Sequence, residues 1–147
     1  MVAKYCRIFH ESSEIFIFCG HGAGDTMCDS SRFRKYKSCP AALLWGCSSG
    51  QLRTLGYHDP TGPALHYLLA GAPFVLGNLW DVTDKDIDKL SIDCMKKVFG
   101  DLADEKPTGS GDIAEALRSS RKVCKLKNAV GCAPVIYGLP YRISVDS

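Results

Sequence analysis

The sequence has no long apolar run and little excess charge, and both shortages narrow the classes of protein to consider. No stretch approaches the ~20 apolar residues of a membrane span, and the first residues, MVAKYCRIFHESSE, lack the charged start and apolar centre of a signal peptide. With 18 Lys and Arg against 16 Asp and Glu, the net charge is only +2, which favours neither nucleic acid nor an anionic membrane as a partner. We therefore expect a soluble intracellular protein that contacts no membrane and no nucleic acid directly.

Clustered metal ligands are also missing, although the chain contains 8 cysteines. No two cysteines have the C-x-x-C spacing of a zinc site, and His58 and His66 do not form an H-x-x-x-H pair. The chain also lacks the small size and the export signal of a disulfide scaffold. Several cysteines lie in or beside apolar runs, where a free thiol behaves as a small hydrophobic group. The expectation is reduced cysteines, no metal and no cofactor.

Short apolar runs stopped by glycine predict strands that are buried on both faces. These runs lie at residues 14–19, 41–45, 74–80 and 134–138. Three stretches between them have helical spacing: the first would be capped by Thr61, the second by Thr83, and the third would start at Asp112. Strands that alternate with helices predict an α/β fold with a mostly parallel sheet flanked by helices.

The predicted sheet is small, and its first strand has only 13 residues ahead of it. Such a strand would leave an apolar edge without a partner, which natural proteins avoid. We therefore expect the chain to be part of a larger unit and to lack the first strands of that unit's sheet. The connection at 24–40 is long enough for a parallel crossover, and the segment 104–111 is predicted to be a polar loop.

The residues with the strongest catalytic pattern each follow a predicted strand. His21 lies in GHGAG (20–24) and Cys47 lies in GCSSG (46–50). Open α/β sheets place their active sites outside the carboxyl ends of strands, and neighbouring strands are ~4.8 Å apart, so the imidazole and the thiol would share one small volume. Taken singly, such a histidine is more often a turn residue and such a cysteine a packing residue. Together, at the ends of successive strands, they favour a Cys/His catalytic pair.

The glycines beside this pair suit acyl-transfer chemistry. A carbonyl under attack must approach backbone N–H groups that stabilise its developing negative charge, and glycine removes the side chain that would block the approach. We expect the N–H groups of Gly22 and Cys47 to form this oxyanion hole. The thiolate of Cys47 would attack the carbonyl carbon, and the imidazole of His21 would protonate the leaving amine.

Four strings in the chain, taken in order, resemble one known protease family. They are GHGAG (20–24), GCSSG (46–50), AGAPFVLGNLWDVTDKDID (70–88) and YGLP (137–140). They resemble the protease domain of separase, a cysteine endopeptidase of the caspase-like clan, and the third string is the most specific. The resemblance implies a partial caspase-like domain over residues 1–147, with His21 as the catalytic histidine and Cys47 as the nucleophile.

The same resemblance implies a substrate, a partner and a place in the cell. Separases cleave the kleisin subunit of cohesin after arginine, which releases sister chromatids at anaphase, and securin is their inhibitor and chaperone. Such a protein acts in the cytoplasm and nucleus, on the spindle and chromosomes in mitosis. These roles are expectations for the present chain.

An acidic run after Trp80 is the candidate arginine pocket that the resemblance requires. A buried carboxylate that binds the guanidinium through two contacts is the expected device. Either Asp84 or Asp88 is the first candidate, and Asp81 is the next. The alternative is that acidic residues in a first helical turn only complement the helix dipole.

Two other functions are compatible with these residues. Similar His-Gly and Gly-Cys pairs occur in other caspase-like peptidases, so the chain could be a peptidase with the same pair and a different target. It could also be an inactive protease-like domain that keeps the sheet and binds a peptide in a groove. Arginine preference separates the first alternative from a separase, and reactivity of Cys47 separates the second.

Overall fold

The computed structural model describes residues 15–24, 39–101, 109–140 and 142–143. Most of the predicted crossover between the first two strands, at 25–38, lies outside these residues, as do positions 104–108 of the predicted polar loop. The chain divides into two compact units. The first runs to Val82 and includes Ala133–Leu139; the second contains Thr83–Cys132 and the residues from Pro140 onward.

The first unit is built on a sheet that has four strands among the described residues, in the order β1-β2-β3-β4. The strands are β1 Ile15–Phe18, β2 Ala41–Leu44, β3 Phe74–Asn78 and β4 Pro134–Gly138. β2 pairs in parallel with both β1 and β3, with Phe18 opposite Leu44, whereas β4 runs antiparallel to β3. The mostly parallel sheet that the sequence predicts is confirmed. The predicted burial of both faces holds for β2 and β3, whose residues are all buried, but it is wrong for the outer strands β1 and β4, where Ile17 and Gly138 are exposed.

A helix covers one face of this sheet. Helix α1, Pro63–Leu69, contributes Ala64 and Tyr67 to a core that also contains Phe18 and Leu44. Burying a large apolar side chain stabilises a fold by about 1.5–3 kcal/mol. The core therefore holds together the carboxyl ends of β1 and β2, which are the points that His21 and Cys47 follow.

The predicted cap of this helix is wrong. Gly62, not Thr61, occupies the N-cap position, and no side chain caps the helix. Thr61 instead pairs with Arg53 through two backbone hydrogen bonds of 2.8 and 2.9 Å. The bridge holds Thr61 two residues before Pro63, the first residue of the helix. Pro63 supplies the fixed φ that starts the first turn.

The second unit contains helices α2, Asp84–Phe99, and α3, Ile113–Ser120, followed by a short 3₁₀ turn. The predicted start of α3 is confirmed, because the side chain of Asp112 accepts a hydrogen bond from the N–H of Glu115 at 3.0 Å. Thr83 occupies the N-cap position of α2, but its side chain makes no capping hydrogen bond. In the described part of the chain, no helix has the length and apolarity needed to cross a membrane.

Candidate active site

Two glycine-rich loops meet at the carboxyl ends of β1 and β2. The histidine loop is Gly20–Gly24, and the nucleophile loop, named for the predicted role of Cys47, is Gly46–Gly50. The N–H of Trp45 donates to the carbonyl of Phe18 at 2.9 Å, so the parallel ladder continues to the point where the loops begin. A Cβ on Gly46 would overlap the carbonyl oxygen of Gly22 and lie 2.5 Å from that of Gly20. The two loops therefore touch through their backbones, which only glycine at position 46 permits.

The histidine loop folds over an aromatic ring and leaves its histidine accessible. A Cβ on Gly20 would lie 3.0 Å from the Cζ of Phe18, so the loop rests on that ring. Ala23 is buried, and its carbonyl accepts a hydrogen bond from the hydroxyl of Tyr67 at 3.5 Å. His21 is exposed. Packing on either side of His21 thus fixes the loop while the imidazole faces solvent.

The nucleophile loop is held by hydrogen bonds from several directions. The N–H of Ser48 donates to the carbonyl of Trp80 at 3.1 Å, and the hydroxyl of Ser49 donates to the carbonyl of Leu44 at 2.8 Å. Ser48 has φ 52°, the one positive φ of a non-glycine residue in the ranges that the structure describes. Left-handed backbone of this kind persists where surrounding contacts over-determine it, and it is frequent at functional sites.

The thiol of Cys47 differs from the buried thiols of the chain. Cys47 is half-buried, and its Sγ donates to the carbonyl of Val82 at 3.3 Å. Burial raises the pKa of the Cys39 thiol to about 11 and that of Cys94 to about 12. Burial also raises the pKa of the Cys124 thiol. Because a thiolate is the nucleophile, these three buried thiols are poorly suited to attack, whereas Cys47 is accessible.

Each of the two loops offers a backbone N–H donor. Neither the N–H of Gly22 nor that of Cys47 has a hydrogen-bond partner within the described ranges. Gly22 has φ +67°, a conformation that glycine adopts without strain. These are the two donors that the sequence predicts for the oxyanion hole, and each is free to bind an oxygen.

Asp81 lies directly against the nucleophile loop. Its Oδ1 accepts a hydrogen bond of 2.6 Å from the hydroxyl of Ser48, the residue that follows Cys47. Asp81 is exposed. Part of its accepting capacity is therefore committed to holding the loop, although an ionised carboxylate has further acceptor sites.

The other acidic candidates belong to the second unit, at the start of α2. Asp84 and Asp88 are exposed, and no hydrogen bond or ion pair of either side chain occurs among the described residues. Asp86, between them, is buried and accepts a hydrogen bond from the N–H of Leu126 at 2.8 Å. That hydrogen bond lowers the pKa of the Asp86 carboxyl. Asp86 is therefore a structural carboxylate. The expected burial of an arginine-binding carboxylate is not met by Asp84 or Asp88, which are exposed and unengaged.

Sequence reasoning missed one polar residue of this region, Asn78. It is the last residue of β3 and is completely buried. Its side chain contacts the segment that leads into Cys47. The sequence signal is the single amide among the apolar residues of the run FVLGNLW. A polar group in such a run is expected to be buried, and a buried polar group requires hydrogen-bond partners.

The described residues show six free cysteines and no group of three or more potential ligands that could hold a metal ion. The groups that the two loops present are the thiol of Cys47, the imidazole of His21 and the backbone N–H groups of Gly22 and Cys47. This set matches the needs of acyl transfer through a covalent intermediate.

Comparison with protein families and curated proteins gives one consistent result. A family model described as "Separin, protease domain" matches residues 9–87. Separin of Saccharomyces cerevisiae is 43% identical over 133 residues, which cover 90% of this chain and 8% of the relative. Separin of Schizosaccharomyces pombe is 41% identical over 132 residues, which cover 89% of this chain and 7% of the relative.

A solved structure agrees with these sequence matches. The chain superimposes on separase in a crystal structure of the Saccharomyces cerevisiae separase–securin complex with a TM-score of 0.79 and 42% sequence identity. The match covers 90% of this chain and 8% of that one. The present chain thus spans less than a tenth of the length of the relatives it matches.

Proposed function

This chain belongs to the family of separin protease domains, and from that membership we propose that it carries the catalytic centre of a cysteine endopeptidase. In this proposal Cys47 is the nucleophile and His21 is the acid and base. The N–H groups of Gly22 and Cys47 form the oxyanion hole.

The contact between the two loops at Gly46 is the observation that carries the proposal. Gly46 immediately precedes Cys47, and it touches the carbonyls on both sides of His21. Two chemically complementary residues are thereby held on loops in backbone contact, at the edge of the sheet where α/β proteins bind ligands. A packing role for both residues would not require them to remain accessible to solvent, as His21 and Cys47 are.

The reaction that follows has two steps. The Cys47 thiolate forms a bond to the scissile carbonyl carbon, and the oxygen takes the electron pair while hydrogen-bonded to the free N–H groups. The carbonyl re-forms as the C–N bond breaks, and the His21 imidazolium gives its proton to the leaving amine. Water, deprotonated by His21, then attacks the thioester carbonyl. The C–S bond breaks, the carboxylic acid product leaves, and the Cys47 thiolate and the His21 imidazolium are restored.

We propose that arginine precedes the cleaved bond and that Asp84 or Asp88 binds it. These two residues lie one helical turn apart, so they share a face of α2. Their carboxylates are unengaged, whereas Asp81 and Asp86 already accept hydrogen bonds within the chain. The planar guanidinium fork suits a carboxylate in two contacts, which an ammonium cannot provide.

The biological setting of the proposal is the one that the resemblance to separases implies. The substrate would be the kleisin subunit of cohesin, and securin would be the inhibitor and chaperone. The chain would act in chromosome segregation, in the cytoplasm and nucleus. The solved relative is a separase–securin complex, which supports the choice of partner.

A comparison of arginine and lysine peptides tests this function. We expect kcat/KM to favour arginine in the parent, and Asp84→Asn or Asp88→Asn to reduce that preference about tenfold, because a charged hydrogen bond contributes roughly 1.5–3 kcal/mol. Asp101→Asn is the matched control, since Asp101 follows the opposite end of the same helix.

Each alternative function has its own outcome in this assay. A parent without arginine preference would indicate another caspase-like peptidase. A folded parent in which an arginine-directed electrophile does not label Cys47 would indicate a binding domain without catalysis.

A further inference from the structure

We propose that Asn78 is a positioning residue that aims the N–H of Cys47 at the oxyanion. The inference rests on the proposed function and adds to it a residue that holds one donor of the oxyanion hole in place. Asn78 lies at the end of β3, so it reaches the nucleophile loop from the neighbouring strand.

The side-chain amide of Asn78 binds the two carbonyls that precede Cys47. Its Nδ2 donates to the carbonyl of Trp45 at 3.1 Å and to that of Gly46 at 3.0 Å. Both hydrogens of the amide are used. An aspartate in the same place would present only acceptors to the two carbonyls when ionised, and at most one donor when protonated.

The hydrogen bond to the carbonyl of Gly46 also affects the N–H of Cys47. The carbonyl of Gly46 and the N–H of Cys47 belong to the same peptide plane, and in a trans peptide they point in opposite directions. An anchored carbonyl oxygen therefore fixes the direction of that N–H. The hydrogen bond also polarises the peptide unit, which strengthens the donor at its other end.

The backbone of Asn78 holds the far end of the same loop. Its N–H donates to the hydroxyl of Ser49 at 3.0 Å, and its carbonyl accepts from the N–H of Gly50 at 2.8 Å. One residue thus contacts the chain both before and after Cys47. Because the loop is held at both ends, the peptide between Gly46 and Cys47 has little freedom to rotate, and the N–H of Cys47 keeps its direction.

The side-chain oxygen of Asn78 shows that an amide at this position lowers the stability of the fold. Asn78 Oδ1 is buried and has no hydrogen-bond partner in the described part of the chain. An unpaired buried acceptor is destabilising, and an apolar residue of the same size would avoid it. The two donated hydrogen bonds give a reason for an amide at this position.

The test separates carbonyl chemistry from simple thiol reactivity in Asn78→Asp and Asn78→Ser variants of the full chain. A peptidyl argininal adds the thiol to its carbonyl and needs the oxyanion hole, whereas iodoacetamide alkylates the thiol by displacement and does not. We expect two quantities to fall about 100-fold in Asn78→Asp: kcat per active site, with the active sites counted by titration, and the affinity for the argininal. KM and the Cys47 alkylation rate, followed by mass spectrometry, should stay within about threefold of the parent.

Two further variants make the result specific. Asn128→Asp makes the same chemical change at an exposed position of the second unit and should leave every readout unchanged. Asn78→Ser keeps one hydroxyl donor, so it should lose less argininal affinity than Asn78→Asp.

Each outcome decides between the proposals. Equal loss of alkylation and carbonyl chemistry, unchanged turnover per site, or failure of both Asn78 variants to fold would overturn the positioning role and leave the proposed function intact. A folded parent that cleaves no peptide would overturn both.

Discussion

The two loops of the site are fixed by different means. The nucleophile loop follows β2, an interior strand, and hydrogen bonds join it to the end of β3 and to the segment at Trp80–Val82. The histidine loop follows β1, which is the edge strand of the described sheet, and it rests on the ring of Phe18. Among the described residues, several directional bonds hold the loop that carries the thiol, whereas the histidine loop is held by the Phe18 ring, by the contact with Gly46 and by one long hydrogen bond of 3.5 Å from Tyr67 to Ala23.

This difference predicts how each loop responds to change. Directional bonds fix orientation to a fraction of an ångström, and a displacement of 1 Å can cost roughly a hundredfold in rate. Packing against a ring tolerates small shifts at a lower cost. Substitutions in the nucleophile loop should therefore harm activity more than comparable ones in the histidine loop.

Cys47→Ser should have the largest effect on turnover. The difference between the two loops matters for catalysis only if the thiol in the loop held by hydrogen bonds makes the attack. We expect turnover to fall by more than about 10³-fold, since an alcohol is a far weaker nucleophile in a site built for a thiolate. Thermal melting should not change. Cys132→Ser, at an exposed thiol of the second unit, is the control, and retained turnover in Cys47→Ser would assign the attack to another residue.

Gly46→Ala should break both loops at once. The new Cβ would overlap the carbonyl oxygen of Gly22, so the backbones must separate, which costs about 3 kcal/mol or more. Urea denaturation measures the loss of stability, and labelling of Cys47 by an arginine-directed electrophile measures the loss of the site. A variant with parental stability would show that the loops do not depend on this contact.

Gly22→Ala sharpens the contrast, since it adds the same methyl group to the partner loop. No atom lies within 4 Å of the new Cβ, and only the φ of +67° is unfavourable. We expect a loss of about 1–2 kcal/mol, the cost of left-handed backbone for an L-residue. Thermal melting beside Gly46→Ala is the measurement, and equal losses in the two variants would contradict the assigned role of close approach.

Ser48→Gly should have the smallest effect. The change relieves the φ of 52° but removes the 2.6 Å hydrogen bond to Asp81. The two contributions oppose each other and are each about 1 kcal/mol, so the net change in stability should be small. Ser48→Val, which keeps neither the hydrogen bond nor an easy left-handed backbone, is the matched comparison. A large loss in Ser48→Gly would show that the bond to Asp81 dominates.

Much of the scaffold was predictable because it depends on local patterns. The apolar runs at 14–19 and 41–45 form β1 and β2. Helix α3 begins directly after Asp112, whose side chain accepts a hydrogen bond from a helical N–H that has no partner within the helix. The cap at Thr61 was wrong because a bridge to Arg53, distant from the helix, competes for that residue. Predictions failed where a contact outside the local window determined the conformation.

The sequence by itself determined which residues could do the chemistry. Strand length, glycine positions and the family strings placed His21 and Cys47 after successive apolar strands, because apolar runs and strand polarity can be read from the chain order. It also offered three candidate aspartates, Asp81, Asp84 and Asp88, that differ by only a few positions, and nothing in their spacing separates their roles.

Only the tertiary structure decided how these residues are held. It engaged Asp81 with Ser48 and Asp86 with the N–H of Leu126, and it joined Asn78 to the peptide that precedes Cys47. These partners lie roughly 30 to 40 residues apart in the chain, beyond the reach of any helical or strand period. A hydrogen bond depends on position to within tenths of an ångström, and that precision arises when the strands pack side by side.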